Sequence, residues 1–473
     1  MKGKVACICL LLCCLPLAAA GQPGTWLQFA ASAPKTEKMP EPRGDVLEFV
    51  DGSILHGSLA RMDLEHGLAW AKPEAGNPIC FRPARFDFIR FARAQSVKQA
   101  PTCHLWFGNG DDLYGSITSL DDQRLGFNTW FASSMIIPRA AVRAITFLPS
   151  NYSVVYEGPY DLGGWTVANN GSWSFHDGFF VGSGPGALAR DLNLTHSATV
   201  EFDLAWNGLF TLQIGIYCDD FADRLNLNND PCVVSLTPRQ VFLRQARKTG
   251  PFNLAGVPLP GEEAKGRMHV AIECDKAEGT VSVFVNHLLA KTWKDCSFAG
   301  GGTGILFRQS LFMQSGGFGG ATLQLGRLRI SQWEGRGEPL TASSATNTDA
   351  IHFVNHDRAA GKIESFQNGK ARLALAGTTL DIPLERVTRM EFAQAATPAE
   401  SPGPWHVRAH FPGGGSLSFQ LQKYDDQGVS GQSAIFGSLA FHPGAIRELE
   451  FNLNRPNDSG VAADIKEFEE LDE

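Results

Sequence analysis

Beyond its first 20 residues, no stretch of this 473-residue chain approaches the ~20 consecutive apolar residues that a membrane-spanning helix needs. No integral membrane segment is expected. No two cysteines stand in CxxC spacing, which removes the common zinc and dithiol redox motifs. There is no Gly-x-Ser-x-Gly elbow and no nucleotide fingerprint. The glycine runs Gly300–Gly302 and Gly316–Gly320 lack a following Gly-Lys-Ser/Thr and read as loops. Basic residues are also short: Lys plus Arg is 41 against 49 for Asp plus Glu, a net charge of −8. Such a chain lacks the electrostatic footprint for phosphate backbones, so no nucleic acid partner is expected.

What is present begins with Met-Lys-Gly-Lys, an apolar run from Val5 to Leu17, and Ala18-Ala-Ala-Gly21. That order describes a secretory signal peptide over residues 1–20 and predicts a secreted or periplasmic protein. Leu12 precedes Cys13 and Cys13 precedes Cys14, which does not suit a lipid anchor. Removing Lys2 and Lys4 takes the charge to −10. Six cysteines then remain: Cys80, Cys103, Cys218, Cys232, Cys274 and Cys296. An even count in an exported chain permits disulfides. Sequence neighbours are expected to pair, foremost Cys218 with Cys232, which close one polar loop. Fifty Gly, 26 Pro and 32 Phe suit many short strands joined by tight turns.

A motif recurs near each end. Phe49-Val-Asp-Gly-Ser-Ile-Leu-His-Gly57 is echoed by Phe107-Gly-Asn-Gly-Asp-Asp-Leu-Tyr-Gly115. Phe353-Val-Asn-His-Asp-Arg-Ala-Ala-Gly361 is echoed around Phe411 to Leu417. Gly52 to Gly110 and His356 to Gly414 are both 58 residues apart. Each copy closes alike, on Ile89-Arg-Phe91, Ile145-Thr-Phe147, Met390-Glu-Phe392 and Leu449-Glu-Phe451. Four modules follow, over 45–92, 103–148, 350–393 and 405–453. Each reads as about five strands that must curl to bury one face. Gly57, Gly115 and Gly361 interrupt strand patterns, where glycine marks a bulge or bend. On Leu-x-Phe-x-x-Gly-x-x-Leu-x-Gly-x-Leu and the closing Ile89-Arg-Phe91, the modules resemble Sm-like and SH3-like small β-barrels. In the fourth copy Phe419 stands where the bend glycine belongs, which puts that barrel in question.

The middle segment, 153–335, reads as strands without a helix of convincing length: Thr199–Ala205, Phe210–Cys218, Cys232–Leu236, Gln240–Arg244, Met268–Cys274, Thr280–Asn286, Gly304–Phe307 and Thr322–Ile330. Their spacing predicts a two-sheet sandwich. The fold class is therefore all-β: a central jelly-roll sandwich with two small barrel repeats on each side. Residues Gly164-Trp165, Trp173, Val200-Glu-Phe-Asp-Leu204, His269-Val-Ala-Ile-Glu273, Val281-Ser-Val-Phe-Val-Asn286 and Leu328-Arg-Ile-Ser-Gln-Trp333 carry a resemblance to the concanavalin A-like lectin and glucanase jelly roll, especially its laminin G-like form in exported bacterial proteins. Thr341–Asp349 and Ala395–Pro404 read as linkers, and 458–473 as an acidic tail.

Glu201 and Asp203 are the sharpest chemical candidates. On a strand they share a face, with Val200, Phe202 and Leu204 on the other. Their Cα atoms would lie roughly 6.6 Å apart, compatible with the carboxyl separation of a retaining glycosidase. The same alternation also describes the solvated face of a sheet covered on one side. The resemblance implies a Glu-x-Asp-x-x-Glu catalytic strand, but here Trp206 replaces the last Glu, the general acid. A concave face would add Gln213, Tyr217, Arg244, His269, Glu273 and Arg308 as ligand-binding candidates. His269 and His287 lack paired metal-ligand spacing. Between Cys218 and Cys232, Asp219, Asp220, Asp223 and Asp230 with three Asn offer oxygen donors for calcium or simply a hydrophilic loop. No cofactor is required by any motif. These features predict a non-catalytic binder of a glycan or an extracellular protein. The alternatives are a glycoside hydrolase on the concave face and a structural or envelope-assembly protein.

Overall fold

The computed structural model describes residues 44–453 apart from 73–76, 83–84, 93–96, 98–99, 169–171, 220, 222–231, 246–251, 254–255, 261–265, 299–301, 311–312, 315–316, 319–320, 335–346, 394–402 and 404. The leader, the tail and the 395–404 linker apart from Gly403 therefore lie outside the described residues, as do Asp220, Asp223 and Asp230. The described elements are strands and short 3-10 turns, and every strand pairing among them is antiparallel, as in Glu201 against Ala271 and Gly215 against Val233.

Two sheets form the jelly-roll sandwich. The first runs in the order 173–176, 179–182, 322–333, 197–207, 267–275, 280–285 and 288–293, with 153–158 also pairing on 322–333. The second runs 166–167, 186–191, 304–310, 211–218, 232–236, 240–245 and 252–253. The period-2 pattern decides what lies between them. Val200, Phe202, Leu204, Val270, Ile272, Leu325 and Ile330 point inward from the first sheet. Leu212, Ile214, Ile216, Val234 and Phe307 meet them from the second. Phe202 and Phe307 make an edge contact at 5.6 Å, and burial of each such ring contributes about 1.5–3 kcal/mol.

The four flanking modules share one strand order, with the last strand beside the first. In the first module 86–90 pairs with 45–49, which pairs with 54–63, then 67–71 and 79–81. The second repeats this with 142–147, 103–107, 112–120, 124–128 and 135–138. The long second strand breaks register at Leu59/Arg61, Ile117/Ser119, Ile363/Ser365 and Leu421/Lys423. Those bulges fall 58 residues apart in both pairs, so the sequence period is a period of bends.

The recurring closing strands also join modules to each other. Ile89 lies opposite Leu449, and Ile145 opposite Met390. Module one thus pairs with module four, and two with three. Gly415 opposite Leu113 ties four to two, and Phe366 opposite Leu120 ties three to two. One apolar core runs through all four.

Phe419 does not disrupt the fourth module. In the second, a Cβ on Gly115 would fall 2.7 Å from the Phe127 ring. In the fourth, a Cβ on Gly431 would fall 2.4 Å from the Phe419 ring. Glycine and phenylalanine have changed strands, and the ring still covers the glycine.

Candidate functional site

Modules one, two and four pack over the outer face of the first sheet and leave a cleft of about 970 Å³. One wall is the sheet, with Glu201, Asp203, His269, Arg327 and Arg329; the other carries His104, Trp106, Asp112, Tyr114, His410 and Glu450.

A β-bulge builds the sheet wall. Glu201 faces Arg329 and Asp203 faces Gly326, so one extra residue is inserted opposite Phe202. Arg327 takes a left-handed φ of +44° there, a conformation that costs free energy for any non-glycine residue and clusters at functional sites. The bulge turns both Arg327 and Arg329 outward, while Leu325, Leu328 and Ile330 stay in the core. Each carboxylate then receives its own arginine. Arg329 Nη1 donates to Glu201 Oε2 at 3.2 Å, and Arg327 binds Asp203 through Nε. His269, directly across from Asp203, donates from Nδ1 to Asp203 Oδ1 at 2.8 Å. Burial opposes the Asp203 charge, but Arg327 and then His269 outweigh it and hold its pKa well below the usual carboxylate range. A group held ionised in this way cannot serve as the general acid of a glycosidase.

The network continues into the modules. Arg327 Nη1 lies 2.8 Å from His410 Nδ1 and 3.5 Å from Glu448. His410 Nε2 donates to Glu450 at 3.0 Å. Against the cost of burial, this bond and the His410 charge bring Glu450 down to about 2. His104 Nε2 donates to Asp112 at 2.8 Å, and against burial it brings Asp112 to about 2. Glu448 also accepts from Arg90, which binds Glu48. A chain of alternating charges thus runs from module one through module four to the sandwich.

Aromatic rings line the same cleft. His104 stacks on Tyr114 at 3.9 Å and lies against Trp106 at 4.2 Å. Asn286 and His287 form a two-residue hairpin turn with φ +50° and +63°, the left-handed pair of a type I′ turn. That tip sets the exposed His287 ring 4.8 Å from His269 and 5.9 Å from Trp106. Partial desolvation between the cleft walls, and then the His269 neighbour, push His287 down to about 4. His104 Nδ1 and Trp106 Nε1 are buried without a protein partner, and such groups are ordinarily satisfied by water or ligand.

The residues chosen from the sequence divide between two surfaces. Glu201, Asp203 and His269 line the cleft. Glu273 is buried farther along the same sheet, opposite Thr199 and Ser282. Gln213, Arg244 and Arg308 belong to the second sheet, with Gln213 opposite Arg308. Tyr217 lies in the sandwich core, turned inward by a bulge at φ +64°. That bulge sends Cys218 to the opposite side of its sheet from Cys232, which separates the pair expected to bond. The six cysteines are thiols in this structure. Asp219 is exposed. Among the described residues no group of three or more His, Cys, Asp or Glu is arranged to hold a metal ion. No described helix is long and apolar enough to cross a membrane.

The sequence pointed to neither arginine, nor to Trp106, Asp112, His410 and Glu450. One signal was available for the arginines. Leu323 and Leu325 are odd-numbered, Leu328 and Ile330 even-numbered, and such a slip in apolar phase marks a bulge.

No protein-family profile matches the chain, and no curated protein matches it. Solved structures with similarity to part of the chain include a Bacillus licheniformis β-glucanase, 12% identical over 38% of this chain and 98% of that one, TM-score 0.29. The carbohydrate recognition domain of Emp46p in its potassium-bound form is 9% identical over 36% of this chain and 88% of that one, TM-score 0.28. A Bacillus subtilis protein of galectin-like fold is 15% identical over 39% of this chain and 98% of that one, TM-score 0.28.

Proposed function

We propose that this is an exported, non-catalytic binding protein whose cleft between sandwich and modules takes an uncharged, hydroxyl-rich glycan. In this reading the jelly roll is of the laminin G-like kind and the modules are Sm-like small barrels that supply the second wall.

The observation that carries the proposal is the pairing of charge inside an open cleft. Arg327 and Arg329 are matched by Asp203 and Glu201, and Arg447 by Glu157. No surplus of one sign remains on these groups to attract a charged ligand. Their remaining lone pairs and N–H groups can accept from and donate to hydroxyls at once. Trp106 lines the cleft with a small exposed part of its ring, which can meet the C–H face of a sugar, while the Tyr114 ring beneath is covered by His104 and Arg329. Against hydrolysis stand the ionised Asp203 and the Trp206 side chain, neither of which can protonate a leaving sugar oxygen.

The test is a panel of neutral and acidic polysaccharides with purified protein, followed by calorimetry and by release of reducing ends. The expected result is binding of a neutral polymer, weakened at least tenfold by Trp106→Ala, with no reducing ends released. Turnover abolished by Glu201→Gln would establish a hydrolase instead. Retention of acidic polymers alone would remove the uncharged-ligand reading.

A further inference from the structure

Two buried thiols stand apart from the cleft. Cys232 opens a strand of the second sheet, Cys274 lies near the end of a strand of the first, and their sulfurs are 3.9 Å apart across the sandwich interior. The other described cysteines are placed differently. Cys218 is turned to the outer side of its sheet, Cys103 lies in the module core, Cys80 is exposed and Cys296 is only partly buried at the margin of the sandwich core.

We propose that Cys232 and Cys274 form a disulfide that pins the two sheets of the sandwich together, made during folding in an oxidising compartment. A disulfide needs its sulfurs about 2.05 Å apart, so the two must close by roughly 1.8 Å, a displacement that side-chain rotation can supply. In the reaction, one thiolate attacks a small-molecule disulfide such as oxidised glutathione and releases one glutathione thiolate. The second thiol loses its proton and attacks the mixed disulfide, expelling the second glutathione. The protein loses two protons and two electrons, and the glutathione disulfide is reduced to two thiols. The contact with Cys274, together with burial, raises the Cys232 pKa well above that of a free thiol. Once the sheets have closed, Cys232 is a poor nucleophile and both sulfurs are buried, so exchange belongs to the stage before closure.

The full chain, refolded from denaturant in an oxidised and reduced glutathione buffer, tests this. Digestion without reduction should yield a peptide joining Cys232 to Cys274. That peptide should be lost on reduction and retained in Cys218→Ala. Reduction should lower the melting temperature by about 4 °C or more. In Cys274→Ala, Cys232 should become alkylatable in denaturant without reductant. If that variant does not fold, the wild-type digest still decides. Alkylation of both cysteines in the unreduced wild type, or a peptide joining Cys232 to Cys296 or Cys218, would overturn the proposal.

Discussion

On the first sheet of the sandwich, the outward residues Glu201, Asp203 and His269 meet arginines from the neighbouring strand and a roof of three modules. On the second sheet, Gln213 and Ser235 share the side that faces away from the sandwich core with Ala187, Ala189, Val233 and Leu306, a small buried apolar cluster against which Ala168 and Phe221 pack. Both faces are written in the same alternating pattern. They differ in what the bulge at Arg327 adds: a second outward cation, placed where a partner module can bring an acid and a histidine to it. Polar alternation tells which way a strand faces. Complementary charge on adjacent elements tells whether that face is built into a polar interface or covered by apolar contacts.

The sharpest way to break the contrast is Arg327→Ala. It strips Asp203 of its arginine while His410 and Glu448 lose their link to the sheet, and the expected loss of unfolding free energy is about 3 kcal/mol, read by urea denaturation. Replacing both partners, Arg327→Met with Asp203→Leu, should recover much of that loss. A double variant as unstable as Arg327→Ala would mean that the cation serves packing and not charge.

Acid offers a second probe. Asp112 and Glu450 have folded pKa values lowered to about 2, and that of Asp203 is lowered too. For such groups the stabilisation is fully present above the unfolded pKa of about 4 and is lost as pH falls through the folded value. His269, raised by Asp203 against burial, runs the other way: its contribution is present below about 6.5 and declines at higher pH. Stability should therefore fall steeply between pH 5 and 2. Asp112→Asn should reduce that fall by about 2 kcal/mol, measured as unfolding free energy against pH. An unchanged slope in the variant would remove the His104–Asp112 pair from the account.

On the second sheet the expected effect is smallest. Gln213 accepts from Ser310 at 3.3 Å, and Gln213→Ala should cost about 1 kcal/mol by the same denaturation assay. A loss as large as that of Arg327→Ala would erase the distinction between the two faces.

Much of the scaffold was legible because it repeats. The 58-residue offset and the Ile/Met/Leu-x-Phe endings mark four modules, and those endings are the strands that join module one to four and two to three. The alternation at 200–204 gave both the core face and the outward carboxylates. Phe419 misled for a local reason, since its compensating glycine, Gly431, lies on the next strand and twelve residues later in sequence. Cys218 misled because an unforeseen bulge at Tyr217 inverted its side of the sheet. The site itself was only half legible. Arg327 and His410 are 83 residues apart, and Trp106 belongs to the second module while His287 sits on a hairpin of the sandwich. No local pattern reports contacts made by folding the chain's two ends onto its middle.

The most direct test is to map ligand binding on the two faces. Calorimetric titration of the best neutral oligosaccharide from the panel would be run on wild type, Trp106→Ala, His287→Ala and Gln213→Ala. The account predicts a single binding event in wild type, weakened at least tenfold by the two cleft variants and unchanged by Gln213→Ala. Binding that survives both cleft variants and is lost in Gln213→Ala would contradict it and move the site to the second sheet.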